Sequence, residues 1–327
     1  MSKIHEQLRI KLPIWSAGMG LGIAGASLAS AVSNAGGLGV LGLGGMDPQI
    51  MREIIADTRA KTSRAFGVNI IMPLMVPGQI ELCYDEKIPL LVLFWGDPSD
   101  YVKDAHKRGM LVVSQCGDVE EAVSAAEAGV DGVIVQGTEA GGHVKATRPL
   151  AEVVRDTVAE LASLPVIASG GIATGAGIAR ALNLGASAVS IGTRFLATDE
   201  SAALDDYKKR LLAARSEDTV LTKLFDMGWP DAAHRVIRNR AYNDWEAAGA
   251  PASGSRPGEK SIIGTLAMGN PPGELPRYSV TPPILQFDGD LEEAALYCGK
   301  SCDDIDTIQS VDNVIAQLIQ ELRVAQR

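Results

Sequence analysis

Short apolar runs recur along this chain and alternate with segments in which polar residues repeat at helical spacing. Runs that are apolar at every position are typical of parallel strands buried on both faces. Amphipathic segments between the runs, such as 119–128 and 153–162, predict helices. The eight runs are Leu12–Gly18, Leu38–Leu41, Ala65–Asn69, Pro89–Phe94, Met110–Gln115, Gly132–Gln136, Pro165–Ser169 and Ala188–Gly192.

Eight strands that alternate with helices favour a closed (β/α)8 barrel, an α/β fold also called a TIM barrel, over an open doubly wound sheet. The rhythm stops after Leu196, and we expect a polar helix at 199–215. The predicted barrel comprises 1–215 and 286–327. Between them, 216–285 is expected to form a mostly helical insertion that covers the active-site face. A separate C-terminal domain is the alternative.

Composition within the last third of the chain supports this division. Residues 250–258 and 270–276 are rich in Pro and Gly and predict loops. Two later segments, 291–298 and 306–324, have the pattern of helices that return to close the barrel.

Two glycine turns follow the last two predicted strands. Ser169 precedes Gly170 and Gly171 in the first turn, and Gly192 precedes Thr193 in the second. Neighbouring turns of this kind present backbone N–H groups that bind phosphate, and in barrels they lie at the catalytic face. Glycines at strand ends also make ordinary tight turns, but two turns in register with a Thr donor favour a phosphate site.

A second group of polar residues follows the sixth run, in Gln136-Gly-Thr-Glu-Ala-Gly-Gly-His143. Histidine suits proton transfer near neutral pH, so His143 is the candidate catalytic residue. Gly141 and Gly142 would let the backbone approach a bound ligand closely. A buried histidine that only caps a loop is the alternative interpretation.

Uncharged side chains end several other strands. Asn69 and Gln115 could hydrogen-bond a flat heterocycle or merely cap the next turn. Small residues and one thioether after the first run could line the face of a flat ring, namely Ala17, Gly18 and Met19. Trp95 would form part of the wall of the site or pack under a loop. Cys116 is a weaker candidate for an active-site thiol.

Bulk properties exclude several classes of function. The net charge of −10 over 327 residues argues against binding to nucleic acid or to an anionic membrane. No apolar run has the length of a membrane span, and the first residues lack the features of a signal peptide. Four cysteines without a second ligand pair predict neither a disulfide framework nor a metal site, so we expect a cytoplasmic protein. The oligomeric state is left open.

Three segments together resemble the nitronate monooxygenase family, also called 2-nitropropane dioxygenase-like proteins. They are the loop that ends at His143, residues 168–175 and residues 184–196, and the similarity extends to 228–235. The resemblance implies an FMN-dependent barrel that oxidises alkyl nitronates with O2 to a carbonyl compound and nitrite. By position, the glycine turns would hold the FMN phosphate and His143 would face the flavin as base or proton donor. Residues implied around the flavin ring and ribityl chain are Ala17, Gly18, Met19, Asn69, Gln115 and Gln136.

Two departures from the family pattern lie on the substrate side. Many members carry a His-Phe-Gly-like ending on the fourth strand, where this chain has Phe94-Trp95-Gly96, and Val144-Lys145 follow the histidine. An FMN-dependent reductase that uses NAD(P)H, of the enoyl-acyl carrier protein or quinone type, therefore stays open. A barrel that only binds flavin or a sugar phosphate is the non-enzymatic alternative.

Overall fold

A computed structural model describes residues 2–267 and 272–327 of the chain and contains the predicted parallel barrel. The barrel strands are β1 (Ile14–Ser16), β2 (Gly39–Gly42), β3 (Phe66–Ile71), β4 (Leu90–Phe94), β5 (Leu111–Cys116), β6 (Gly132–Gln136), β8 (Val166–Ser169) and β9 (Ala188–Ile191), while β7 (Gly142–His143) lies outside the ring. Around the barrel the strand order is β1-β9-β8-β6-β5-β4-β3-β2. Hydrogen bonds from Ser16 N–H to Leu38 O (2.9 Å) and from Leu38 N–H to Ile14 O (3.0 Å) join the first strand to the second and close the ring.

Alternate residues of these strands enter two different cores, which is why the runs are apolar throughout. Trp15, Val92 and Val113 pack together inside the barrel. Their neighbours Ile14 and Val112 face the surrounding helices. The packed interior leaves the carboxyl ends of the strands as the place for a ligand.

Helices surround the barrel, and several begin at a side chain that caps their free N–H groups. Asp47, Asp118, Thr174 and Ser310 each accept a hydrogen bond from a backbone N–H in the first turn of the helix that follows. The helices are α1 (Lys3–Leu8), α2 (Ala26–Asn34), α3 (Pro48–Lys61), α4 (Gln79–Asp85), α5 (Ser99–His106), α6 (Val119–Glu127), α7 (Leu150–Glu160), α8 (Gly175–Asn183), α9 (Thr193–Leu196), α10 (Asp205–Ala213), α11 (Arg240–Ala247) and α12 (Val311–Ala325). The last of these packs against α8 and α2, as expected of a helix that closes the barrel.

The expectation that 216–285 forms a mostly helical insertion is wrong. In its described part, α11 is the single α-helix, and four strands accompany it. One small antiparallel sheet joins β10 (Thr219–Thr222) and β11 (His234–Ile237) to β7, and another joins β12 (Ile262–Leu266), β13 (Gly273–Pro276) and β14 (Phe287–Gly289). These strands are short and pair with distant segments, so local periodicity does not reveal them. The domain boundaries themselves stay a prediction.

Three smaller expectations also change. Only Leu291–Glu293, a 3-10 turn, is helical within 291–298. Residues 273–276 form β13 rather than a loop, and 270–271 lie outside the described residues. The predicted helix at 199–215 is confirmed in its central part as α10. None of the helices seen in 2–267 and 272–327 has the length and apolar character that crossing a membrane requires.

Candidate active site

A cavity of about 420 Å³ opens at the carboxyl ends of the barrel strands. Ligand pockets in proteins have volumes of this order and above. Thirteen of the predicted site residues line this cavity: Ala17, Gly18, Met19, Asn69, Gln115, Gln136, Gly141, His143, Ser169, Gly170, Gly171, Gly192 and Thr193. They come from the ends of six strands and from the loop after β6, which only the closed barrel brings together. Their individual roles are proposals.

Backbone N–H groups without a partner are concentrated at one part of the cavity. Those of Gly170, Gly171, Gly192 and Thr193 donate to no acceptor within 2–267 and 272–327. The four residues are half-buried and line one cavity, and free N–H groups at neighbouring turns fit an anion. No Asp, Glu, Lys or Arg belongs to the described lining, so backbone and hydroxyl groups would have to hold that anion.

The protein backbone requires glycine in the first turn but not in the second. Gly170 and Gly171 have φ of +117° and +66°, a region that disfavours other residues. A Cβ at Gly171 would also lie 2.8 Å from the Cβ of Glu139. At Gly192, in contrast, the nearest atom to an added Cβ is 3.7 Å away, on Ala17. The protein itself therefore has room for a side chain at Gly192.

Gly141 and Thr193 support the cavity through a neighbouring loop. An added Cβ at Gly141 would lie 2.4 Å from the Gly299 nitrogen, and the Thr193 hydroxyl accepts a hydrogen bond from Gly299 N–H at 3.0 Å. The close approach at Gly141 is thus to protein backbone, where the sequence had suggested a ligand. The Thr193 hydroxyl keeps its own proton for donation.

Two of the predicted amides are held by protein groups. Asn69 donates to Val92 O at 3.3 Å, and an added Cβ at Gly18 would lie 2.4 Å from the Asn69 Cβ. Gln136 donates to His143 O at 2.9 Å and accepts from Lys145 N–H at 3.1 Å. Gln136 therefore fixes the loop that carries His143, in addition to lining the cavity.

His143 lies in a short strand that β11 holds in place. It pairs with His234, whose ring centroid lies 5.4 Å from its own. Burial, with a smaller contribution from His234, lowers the pKa of His143 to about 3, so its imidazole is neutral near pH 7. The buried Nε2 atom has no hydrogen-bond partner among the described residues. An unpaired buried nitrogen at a cavity fits an acceptor or donor on a ligand.

His234 itself is fully buried and its tautomer is set by backbone. Nδ1 lies 2.9 Å from Ala232 O and Nε2 accepts from Phe225 N–H at 3.2 Å, so the proton is on Nδ1. Burial lowers the pKa of His234 to about 4. Because both nitrogens are occupied, His234 has a structural role behind His143.

Sequence reasoning missed several residues of the cavity wall. Trp229 stacks on His143 with ring centroids 4.1 Å apart, and Tyr297 lies 5.5 Å from His143. Gly228-Trp229-Pro230 carried part of the family resemblance, which was the available signal. Other lining residues that were not singled out include Ser190, Met227, Val280, Thr281, Pro282 and Ser301.

The remaining candidates occupy positions beside the cavity. Trp95 packs edge-on against Trp229 at 5.0 Å and is not part of the cavity lining. Cys116 is buried, and burial raises the pKa of its thiol to about 12, so it is not a nucleophile at neutral pH. No group of three or more His, Cys, Asp or Glu side chains suited to a metal ion occurs in the described residues.

Comparison with known proteins bears on these features. The family model described as nitronate monooxygenase matches residues 1–88 and 74–321. The chain belongs to this family. A nitronate monooxygenase of Paraburkholderia phytofirmans is 32 % identical over 290 residues, which cover 74 % of this chain and 77 % of that protein. The expected (β/α)8 fold is confirmed, and the protein is a flavin-dependent oxidoreductase.

Two further relatives differ in their stated activities. A (3aS,4S,5R,7aS)-5-hydroxy-7a-methyl-1-oxo-octahydro-1H-indene-4-carboxyl-CoA dehydrogenase of Mycobacterium tuberculosis is 37 % identical over 247 residues, or 75 % of this chain and 68 % of the relative. The structure of nitroalkane oxidase from Streptomyces ansochromogenes superposes with a TM-score of 0.78 at 26 % identity and 99 % coverage of both chains. Proteins similar to this chain thus have more than one stated activity, and the residues of the site are the basis for choosing between these activities.

Proposed function

We propose that this protein is an FMN-dependent enzyme that oxidises alkyl nitronates with O2 to carbonyl compounds and nitrite. The observation that carries the proposal is the neutral, unpaired imidazole of His143 in an uncharged cavity that also contains four free N–H groups. Two nitronate anions and one O2 balance two carbonyl compounds and two nitrite ions. The nitronate monooxygenase relative and the family match support the same reaction.

FMN fits the groups that line the cavity. Gly170, Gly171, Gly192 and Thr193 would bind its phosphate, because their N–H groups are unpaired and no acidic side chain lies among the described lining residues. The Ser169 hydroxyl is a further donor beside them. When bound, FMN supplies the electron acceptor and the site of reaction with O2. Ala17, Gly18, Met19, Asn69, Gln115 and Gln136 would surround the rest of the cofactor.

His143 would then act on the substrate. A neutral imidazole can donate its N–H to a nitronate oxygen without bringing a buried charge into the cavity. An imidazole whose conjugate acid has a pKa of about 3 is a weak proton acceptor, since effective bases have pKa values near the working pH. The low pKa therefore favours preformed nitronates over neutral nitroalkanes. A bound anion would raise the pKa and restore some base strength.

Apolar residues on the other walls limit what else can enter. Ile71, Leu74, Phe94, Val280 and Pro282 line the same cavity. Such walls exclude water and leave a small organic substrate with few polar partners. An alkyl nitronate, with one delocalised charge and an alkyl chain, matches this combination.

The decisive experiment compares the two substrate forms. The wild-type protein should contain FMN and turn over preformed nitronates faster than neutral nitroalkanes. His143→Ala should retain FMN and lower nitronate turnover, because it removes the N–H donor to the nitronate oxygen. Unchanged nitronate turnover in His143→Ala would remove the donor role, and a purified protein that takes up no FMN would overturn the proposal.

A second candidate function is oxidation of a carboxyl-CoA thioester, favoured by the higher identity of the Mycobacterium tuberculosis relative, 37 % against 32 %. The NAD(P)H-dependent reductase is the third. Anaerobic mixing separates all three, because the reagent that bleaches the flavin absorbance identifies the electron donor. Bleaching by a nitronate alone supports the proposal, bleaching by an acyl-CoA supports the second function, and bleaching by NADH or NADPH supports the third.

A further inference from the structure

Two indole rings from separate parts of the chain lie beside the imidazole of His143. Trp229 is stacked on the imidazole with ring centroids 4.1 Å apart and planes 24° apart. Trp95 meets Trp229 edge-on, with centroids 5.0 Å and planes 69° apart. Trp95 also lies edge-on to His143 at 6.5 Å. The rings therefore form a continuous row from the end of β4, through the segment 216–285, to β7.

The backbone around Trp229 is firmly fixed. Trp229 N–H donates to Asp226 O at 3.0 Å, and Met227 N–H donates to Tyr278 O at the same distance. The buried Arg256 guanidinium binds the Asp226 carboxylate at 2.6 Å and donates to Leu224 O at 2.8 Å. A network of this kind holds the indole in place without help from a ligand.

The backbone at Trp95 is strained. Its φ of +67° lies in the left-handed region, which a bulky side chain rarely adopts. Such a conformation costs about 1–3 kcal/mol and persists where surrounding contacts impose it, often beside an active site. Phe94 packs on Trp95 at 5.2 Å, and the Lys145 ammonium lies 5.9 Å from its ring centroid. In this backbone conformation the Trp95 ring packs edge-on against Trp229.

We propose that Trp229 is a positioning residue for His143, and that Trp95 holds Trp229 in the stacked arrangement. The proposal rests on the role of His143 proposed above. Torsion about the last side-chain bond of histidine is broad, so an imidazole needs contacts that select one ring orientation. Trp229 covers one face of the ring, while His234 and Tyr297 lie at 5.4 and 5.5 Å. The imidazole is thereby held in one orientation at the cavity wall.

The first test compares two replacements of Trp229, one that keeps an aromatic ring and one that does not. Trp229→Phe keeps a flat ring for stacking, and Trp229→Leu removes it. We expect Trp229→Leu to lower kcat at least tenfold with a smaller change in KM, and Trp229→Phe to restore most of the loss. Trp245, a half-buried indole of the same segment, lies against Tyr242 at 5.5 Å and serves as the control. Trp245→Leu should leave kcat unchanged.

A double-mutant cycle separates positioning from general support of the fold. If Trp229 acts through His143, then Trp229→Leu should cost nothing further in a His143→Ala background. Losses that multiply in the double variant would overturn the proposal. The cycle uses whichever electron donor is active in the anaerobic experiment, so it does not depend on nitronates being the substrate.

The ring of His143 offers a readout without turnover. The chain has four histidines, and His143→Ala assigns the imidazole signals of that residue by NMR. In the wild-type protein the His143 pKa should be about 3, as burial dictates. Trp229→Leu should admit water and raise this pKa toward its ordinary value, while Trp229→Phe should not. An unchanged pKa in Trp229→Leu would overturn the positioning role. Unchanged turnover in His143→Ala would instead remove the proposed function and leave the NMR test intact.

Discussion

The side-chain amide of Gln136 holds the stretch of backbone that directly follows the His143 side chain. Its nitrogen donates to His143 O at 2.9 Å and its oxygen accepts from Lys145 N–H at 3.1 Å. Gln136 ends β6, so the rigid barrel fixes the loop that carries the candidate catalytic residue. An amide is suited to this because one group both donates and accepts.

Replacing this amide should loosen the loop. Gln136→Met keeps the length of the side chain and removes two hydrogen bonds, each worth about 1 kcal/mol. Amide hydrogen exchange at Lys145 should therefore accelerate by roughly 30-fold, since about 2 kcal/mol corresponds to that factor. Gln115→Met, at the end of the neighbouring strand, is the control. Equal exchange rates at Lys145 in the wild type, Gln136→Met and Gln115→Met would show that the Gln136 amide does not hold this loop.

Gly192 allows flavin binding to be tested separately from folding. Because the nearest atom to an added Cβ is 3.7 Å away, Gly192→Val should fold with normal stability. Its side chain would occupy the space expected for the phosphate and release FMN. Flavin content after purification and the unfolding midpoint of the apoprotein measure the two effects. Gly273→Val, at an exposed position where no atom of residues 2–267 and 272–327 lies within 4 Å of an added Cβ, is the control. FMN that stays bound to Gly192→Val would contradict the phosphate assignment.

Acid should destabilise the protein through His234. The pKa of His234 is lowered from 6.5 to about 4 in the folded chain, so the unfolded chain takes up the proton first as the pH falls. The stability that the neutral ring contributes is complete above pH 6.5 and is lost progressively down to about pH 4. The slope over this window is about 1.4 kcal/mol per pH unit for one histidine.

Urea unfolding at several pH values checks this linkage. His234→Gln should reduce the slope between pH 4 and 6.5 by about 1.4 kcal/mol per pH unit and leave the contribution of His143, whose pKa is also lowered, whatever its effect on stability at pH 8. A wild-type stability that does not fall below pH 6.5 would refute the buried, neutral state of His234.

Cys116 should prove unnecessary for activity. Its thiol is 2 % exposed, and burial raises its pKa to about 12, so neither iodoacetamide nor a disulfide reagent should modify it in the folded protein. Cys116→Ala should keep turnover within about twofold of the wild type, because the substitution leaves only a small cavity outside the site. Mass spectrometry after alkylation shows the state of the thiol. Inactivation that accompanies its modification would return Cys116 to the list of catalytic candidates.

Sequence and structure agree best where local pattern and burial coincide. The run from Met110 to Gln115 is apolar at nearly every position because β5 contributes alternate residues to two cores, and it lies where the pattern predicts. The strands of 216–285 were missed for the opposite reason. His234–Ile237 is only four residues long and is stabilised by pairing with Thr219–Thr222 and with His143, which lies 91 positions away from His234 in the numbering (234 − 143).

For the site, the chain by itself determined the residue types and their strand-end positions. The glycine turns, the amides and His143 could be identified because a parallel barrel must bring the carboxyl ends of its strands to one face. Only the tertiary structure decided what each group contacts. In the fold, the oxygen and nitrogen of the Gln136 amide both bond the backbone of the His143 loop. The missing side chain of Gly141 leaves room for Gly299, and Trp229 stacks on His143. These contacts join residues far apart in sequence, and desolvation by the assembled fold is what lowers the His143 pKa.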